Sequence, residues 1–208
     1  MDEKRKRKSA VATKRGDDGT TGLLFDGKRV FKDDPRTEAY GAIDEAVAAL
    51  GLARAELGLK AQYGTLPRIM AGMPELILRF QRELFVAGAQ LATAPGAADR
   101  QKPGETRVTA EMVESLDALL EETEAAIELP REFVVPGETR LSAALELART
   151  IVRRAERRAV SIRRSDVVPD DQLLPYLNRL ADLLWVLARA AEQGESRTST
   201  PSVTRDGD

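Results

Sequence analysis

From Asp34 onward the apolar residues recur at alternating three- and four-residue steps, in five stretches separated by segments without period. That spacing predicts helices that each bury one face. The first opens at Asp34-Pro35, a capping residue followed by Pro at the first helical position, with the stripe Tyr40, Ile43, Val47, Leu50, Leu57. The second follows Pro74 (Ile77, Phe80, Leu84, Ala87, Leu91), and the third follows Thr109 (Met112, Leu116, Leu119, Thr123, Ile127). The fourth starts near Ser142 (Leu145, Ala148, Val152, Ala155, Ala159, Ile162), and the fifth follows Asp170-Asp171 (Leu173, Leu177, Leu180, Leu184, Leu187). The fold class expected is all-α: a five-helix bundle, with a glycine-rich N-terminal segment and disordered tails.

The connections are irregular. Thr13 to Asp34 contains four glycines and no helical period; Gly58 to Met73 reads as a loose linker; Thr93 to Arg107 is rich in Pro and Gly; Phe133-Val-Val-Pro-Gly137 reads as an extended piece ending in a turn. Loops of this length in a compact bundle often carry function. The expected organisation is a basic flexible arm at residues 1–12, one domain at 13–192 and a flexible tail at 193–208.

Composition removes several chemistries. The chain has 208 residues, no cysteine and no histidine. Disulfides, thiolate nucleophiles, imidazole bases and His or Cys metal ligands are therefore excluded. Carboxylates, Arg, Lys, hydroxyls and backbone amides remain. A net charge of −2 argues against a nucleic-acid partner. No apolar run reaches the length of a membrane span, so the expected location is the cytoplasm.

Two segments carry candidate chemistry. On the fourth helix, Arg149, Arg153 and Glu156 lie at i, i+4 and i+7 along one border of the buried stripe, while Arg154 points roughly the other way. Exposed ion pairs are common on such helices and contribute little. Here, however, the ladder borders the core, and its arginines outnumber its acids. It calls for an anion or for an acid from elsewhere, and the planar Arg fork suits phosphate. Both readings stay open on these residues alone. The second segment is Thr13-Lys14-Arg15-Gly16-Asp17-Asp18-Gly19-Thr20-Thr21-Gly22. Its glycines let backbone amides approach phosphate oxygens, its threonines add donors, and its aspartates can hold Mg²⁺. Just beyond, Gly22 to Lys28 matches the start of a P-loop, but Arg29 stands where Ser or Thr should bind Mg²⁺, and no strand-then-helix order surrounds it. A Walker-type fold is rejected.

Taken together, the pieces Thr13–Gly22, Lys32-Asp-Asp-Pro35, Glu38-Ala-Tyr-Gly-Ala-Ile-Asp-Glu45, Phe133–Gly137, Arg149-Thr-Ile-Val-Arg-Arg-Ala-Glu-Arg157 and Tyr176-Leu-Asn-Arg-Leu-Ala-Asp-Leu-Leu184 resemble the trimeric ATP:cob(I)alamin adenosyltransferases. The resemblance spans about Thr13 to Ala191. It implies transfer of the 5′-deoxyadenosyl group of ATP to the cobalt of a reduced corrinoid, with triphosphate leaving. It implies ATP, Mg²⁺ and cob(I)alamin as the small molecules, and a homotrimer with sites between subunits. As further partners it implies a cobalt reductase and an adenosylcobalamin-dependent enzyme. On the matching positions, Thr13, Lys14, Gly16, Asp17, Gly19, Thr20, Thr21 and Lys32 would wrap ATP. Arg153, Arg154, Glu156 and Asn178 would complete the nucleotide site, with Glu156 also on the metal. Asp44 and Arg149 would meet across the subunit interface near the corrin, and Phe133 would face cobalt. Arg153, Phe133, Asp44 and Arg149 are thus the expected catalytic set. The chain departs from the family at Ala12, at Arg15, at Asp26-Gly27-Lys28 and at Ala46-Val47-Ala48, where the family commonly has Leu-Asn-Ser. Arg15 and Val47 motivate an alternative: a non-catalytic paralogue that binds and delivers or senses adenosylcobalamin or ATP. A third reading is a helical bundle whose charges only solubilise it.

Overall fold

The computed structural model describes residues 11–25, 28–64, 66–163 and 172–203. Among them the order is β1 (Thr20–Gly22), β2 (Arg29–Phe31), α1 (Pro35–Tyr63), α2 (Met73–Ala92), α3 (Ala110–Ala125), β3 (Val134–Val135), α4 (Arg140–Arg163), α5 (Leu173–Gly194) and β4 (Thr200–Pro201). The expected all-α bundle is what the chain forms, with two short antiparallel strand pairs attached to it, β1–β2 and β3–β4. The basic arm to residue 10, the Asp26-Gly27 turn and the Asp170-Asp171 start of α5 lie outside the described residues.

Helix starts follow local chemistry. Asp34 caps α1, its Oδ1 accepting the Arg36 amide at 2.8 Å. Thr139 and Ser142 cap α4 reciprocally: each hydroxyl accepts the other's amide, at 3.0 and 3.2 Å. This pair starts α4 at Arg140, two residues before the sequence pattern does. The other end of α1 differs more. It continues through Gly58 to Tyr63, into the segment expected to be linker. Contacts from distant parts of the chain hold that extension: Arg140 donates to both oxygens of Glu56 at 3.1 and 2.7 Å, and Lys60 pairs with Glu195 at 2.6 Å.

Packing makes α1, α4 and α5 the inner helices, with α4 between the other two. One side of α1 buries Ala39, Ala42, Ala46, Ala49 and Ala53, and these small residues let it lie close between α2 and α4. Along α5 the last turns are buried all round, from Leu183 to Glu192 apart from the half-buried Trp185. The Leu145, Ala148, Val152, Ala155, Ala159 stripe of α4 is buried as the spacing predicts. Third-helix burial is weaker. Only Leu116 of α3 is fully enclosed, and Ile127 falls beyond the end of the helix.

Helix directions decide which residues share an end. Arg158 meets Glu38 at 3.6 Å while Arg140 meets Glu56, so α4 runs antiparallel to α1. Glu156 meets Asn178 while Glu146 meets Arg189, so α5 runs antiparallel to α4. The start of α1, the C-terminal half of α4 and the first half of α5 therefore share one end. The β3–β4 pair lies at the other.

Candidate active site

At the first end stands the β1–β2 hairpin, registered Thr20 on Phe31, Thr21 on Val30 and Gly22 on Arg29. The loop before it is shaped by its own side chains. Asp18 Oδ1 accepts the Thr20 amide at 3.0 Å and the Thr20 hydroxyl at 2.7 Å. Those bonds hold the exposed Asp18 carboxyl below its ordinary pKa. Arg29 Nε donates to Thr20 Oγ1 at 2.6 Å, and its Nη2 donates to the carbonyls of Arg15 (2.6 Å) and Thr20 (2.8 Å). Arg29, which stands against a P-loop in the sequence, pins the glycine-rich loop in the fold. Asp18 acts with it and was likewise not among the expected site residues. The signal was their charge complementarity, hidden by the turn between them.

Lys32 closes the same loop. Its Nζ donates to the Gly16 carbonyl at 2.8 Å, and its amide donates to the Gly19 carbonyl at 2.9 Å. Gly16 suits this approach, since a Cβ there would crowd it, standing 3.0 Å from Lys32 Nζ and 3.3 Å from the Thr20 carbonyl. Gly19 has φ +78°, a conformation other residues rarely adopt. Lys14 adopts φ 61°. Thr13, Lys14, Asp17 and Gly19 are exposed, while Gly16, Thr20 and Thr21 are half-buried. The hairpin is tied to the end of α2: Leu24 exchanges bonds with Ala92 (2.8 Å) and Ala94 (3.0 Å).

The ladder on α4 divides between two neighbours. Arg154 turns to α1 and bonds Glu45. On the other side, Glu156 Oε1 accepts the Asn178 amide at 3.2 Å. Arg149 and Arg153 line a cleft of about 320 Å³ between α3, α4 and α5, with Glu124, Asp182 and Trp185. Arg149 Nε donates to Glu146 Oε2 at 2.6 Å. Arg153 is exposed and makes no hydrogen bond or ion pair among the described residues. The acid from elsewhere that the sequence called for is thus found for Arg154, not for Arg153.

Phe133 is at the far end, 88% exposed, directly before β3. Its carbonyl accepts the Ser202 amide at 2.7 Å, and Val134 and Val135 pair with Pro201 and Thr200. The strand that fixes this aromatic comes from the segment expected to be a flexible tail. Arg140 and Arg154 on α4 are about 21 Å apart along the axis. Phe133 is thus far from Lys32 and Arg153 of its own chain. Asp44 is exposed on α1 and makes no bond with Arg149 among the described residues.

An arginine with no partner among the described residues and a glycine- and hydroxyl-rich hairpin stand toward one end of a bundle of helices. The class is that of helical nucleotide-binding transferases. The chain belongs to the cobalamin adenosyltransferase family, whose model matches residues 11–191. As a member, it is an ATP-dependent corrinoid adenosyltransferase. It is 36% identical over 182 residues to the corrinoid adenosyltransferase of Citrobacter freundii, covering 88% of this chain and 94% of that one. It is 39% identical over 184 residues to that of Mycobacterium tuberculosis, covering 87% and 88%. It spans 50% of the corrinoid adenosyltransferase PduO of Salmonella typhimurium, at 36% identity. Among solved structures it resembles a phenylalanine-to-histidine variant of the PduO-type enzyme from Lactobacillus reuteri complexed with cobalamin and ATP. That match has a TM-score of 0.78 and 27% identity, covering 94% of this chain and 97% of the other. An arginine-to-lysine variant of the same enzyme, complexed with ATP, gives 0.77 and 28%.

Proposed function

We propose that Arg153 is the principal contact for the leaving triphosphate in the adenosyl transfer. The observation that supports this is that it has no acid partner among the described residues, beside the Glu156–Asn178 pair and toward the bundle end that also holds Lys32 and the glycine-rich loop. Thr13, Lys14, Gly16, Asp17, Gly19, Thr20 and Thr21 enclose ATP, and Lys32 moves from the Gly16 carbonyl to the phosphates. Arg154 binds the nucleotide from the α1 side. Asn178 holds Glu156 and contacts ATP.

The bound corrinoid supplies the nucleophile: its reduced cobalt bonds to the 5′ carbon of ATP as the bond to triphosphate breaks. The chain therefore needs no base or nucleophile of its own. Its residues orient the substrates and meet the charge that develops on triphosphate. Phe133 gives the corrin an apolar face with no ligand atom. The chain has no histidine or cysteine to compete for cobalt.

Mg²⁺ fits this donor set as an ion carried mainly by the triphosphate. Among the described residues no cluster of three acids could hold it alone. Glu156 is half-buried, with one oxygen engaged by Asn178 and the other without a partner among the described residues. Mg²⁺ commonly takes one or two carboxylates plus substrate phosphates, so Glu156 would hold it and the ion would neutralise phosphate charge.

The separation of Phe133 from the nucleotide end supports a site built between subunits of a homotrimer, with Asp44 of one subunit meeting Arg149 of the next. Among the described residues no helix is long and apolar enough to cross a membrane; we place the enzyme in the cytoplasm, served by a cobalt reductase and an adenosylcobalamin-dependent enzyme. Incubation with ATP, Mg²⁺ and chemically reduced cobalamin tests the assignment. The expected products are adenosylcobalamin, seen in its absorption spectrum, and triphosphate. Tight binding of both substrates without product would instead mark a carrier or sensor.

A further inference from the structure

Behind the cleft lies a charge cluster that the reaction itself does not use. Arg189 of α5 is fully buried. Its Nη2 lies 2.9 Å from Glu192 Oε1 and 3.3 Å from Glu146 Oε1. The other oxygen of Glu146 accepts Arg149 Nε at 2.6 Å. Glu192 Oε2 accepts the Ser199 hydroxyl at 2.5 Å. Glu146 and Glu192 are buried, whereas the Arg149 side chain is 25% exposed.

Such a cluster is costly. Nε and Nη1 of Arg189 are buried with no hydrogen-bond partner, and a well-packed apolar group in its place is often no less stable. What the charges do provide is direction. Two oxygens of one carboxylate are claimed by two arginines, so Glu146 has one orientation. Arg149 is gripped by Nε alone, and its two terminal nitrogens make no bond among the described residues. They are left for a group outside the chain. Trp185, a wall of the same cleft, has the Arg189 guanidinium 5.6 Å from its ring centroid.

We infer that Glu146 is a positioning residue for Arg149, and that buried Arg189 is the counter-ion that keeps Glu146 aimed. The inference rests on the reading of Arg149 as a corrin-side interface residue. Glu146 touches no substrate; it acts through Arg149.

The test combines a spectroscopic and a kinetic measurement on the full chain. In ¹⁵N–¹H spectra of arginine side chains, the Arg149 Nε–H (assigned by its loss in Arg149→Lys) is expected to exchange slowly with solvent. Glu146→Gln and the charge-conserving, shorter Glu146→Asp should both abolish that protection. Both should raise the KM for cob(I)alamin by roughly 10- to 100-fold while leaving the KM for ATP unchanged. In an Arg149→Ala background, Glu146→Asp should add nothing further. Glu146→Asp keeps the buried charges balanced, so it remains informative if Glu146→Gln does not fold. An unchanged cob(I)alamin KM in Glu146→Asp, or an equal loss with and without Arg149, overturns the inference. A normal cob(I)alamin KM in Arg149→Ala overturns instead the underlying reading of Arg149. The Nε–H signal then still decides whether Glu146 holds it.

Discussion

The two ends of the bundle are built by opposite means. At the end we propose binds the nucleotide, the glycine-rich loop is exposed and organises itself: Asp18, Thr20, Arg29 and Lys32 bond to one another or to the loop's own carbonyls. At the Phe133 end little is local. Phe133 is fixed by Ser202 from the C-terminal segment; Arg149, midway along α4, is held by Glu146, which Arg189 of α5 holds in turn. A site for a flexible, highly charged ligand tolerates an exposed, adaptable loop, whose interactions are individually weak in water. A site that must hold a flat macrocycle against one aromatic side chain needs a support that does not give. The lesson is that the nucleotide end should fail residue by residue, while the corrin end should fail as a unit.

The largest expected effect tests the nucleotide end. Arg153→Ala should lower turnover by about 3 kcal/mol, roughly 150-fold, because it removes a charge contact that strengthens as triphosphate departs. Steady-state rates with saturating cob(I)alamin check it. Near-normal turnover would remove Arg153 from its assigned role. Arg29→Ala should come next. It loses bonds to Thr20 and Arg15 without touching the fold of the helices, so the KM for ATP should rise about tenfold, about 1.4 kcal/mol. An equal rise in the cob(I)alamin KM would break the separation of the two ends.

Truncation after Arg197 tests the other side of the contrast. It removes β4, the Ser202–Phe133 bond and the Ser199–Glu192 bond together. The cob(I)alamin KM should rise about fivefold, near 1 kcal/mol, with ATP binding intact. If ATP binding falls equally, the C-terminal strand supports the whole bundle and not one end of it.

The same contrast explains what the chain discloses before it folds. Much that depends on neighbours in sequence was legible: the Asp34-Pro35 start of α1, the Thr109 start of α3, the α4 stripe, and the opposite directions of Arg154 and Arg153, though not the Thr139–Ser142 cap of α4. Features made by distant partners were not. Gly58 looks like a helix breaker until Lys60 finds Glu195 across the bundle. The Ser- and Thr-rich C-terminal segment looks like tail because the partner of Thr200–Pro201 lies at Val134–Val135. Glu146 sits on the buried side of α4, where a lone acid has no visible reason until Arg189 arrives from α5. The family resemblance supplied roles for Phe133 and Arg149, but it could not supply what holds them here.

The smallest effect is a titration, and it isolates the local character of the nucleotide end. Asp18 is exposed, and its pKa is lowered first by the Thr20 hydroxyl bond, then by the Thr20 amide, with Arg29 contributing a weaker attraction. A carboxylate whose folded pKa is depressed favours the ordered loop above its unfolded value of about 3.9. That preference is lost as pH falls through the lower, folded value. Across the neutral range the loop should therefore show no pH dependence from this group. A ¹³C titration of the Asp18 carboxyl should give a midpoint below about 3.9 in the wild type. Thr20→Val removes the hydroxyl and keeps the β-branched shape, so it should move the midpoint back up toward that value. Added salt should move the wild-type midpoint much less, because the leading cause is a hydrogen bond and not the distant charge of Arg29 at 3.9 Å. A midpoint that follows salt but ignores Thr20→Val would mean that the loop is shaped by its net charge, and that the nucleotide end, like the corrin end, is organised from outside itself.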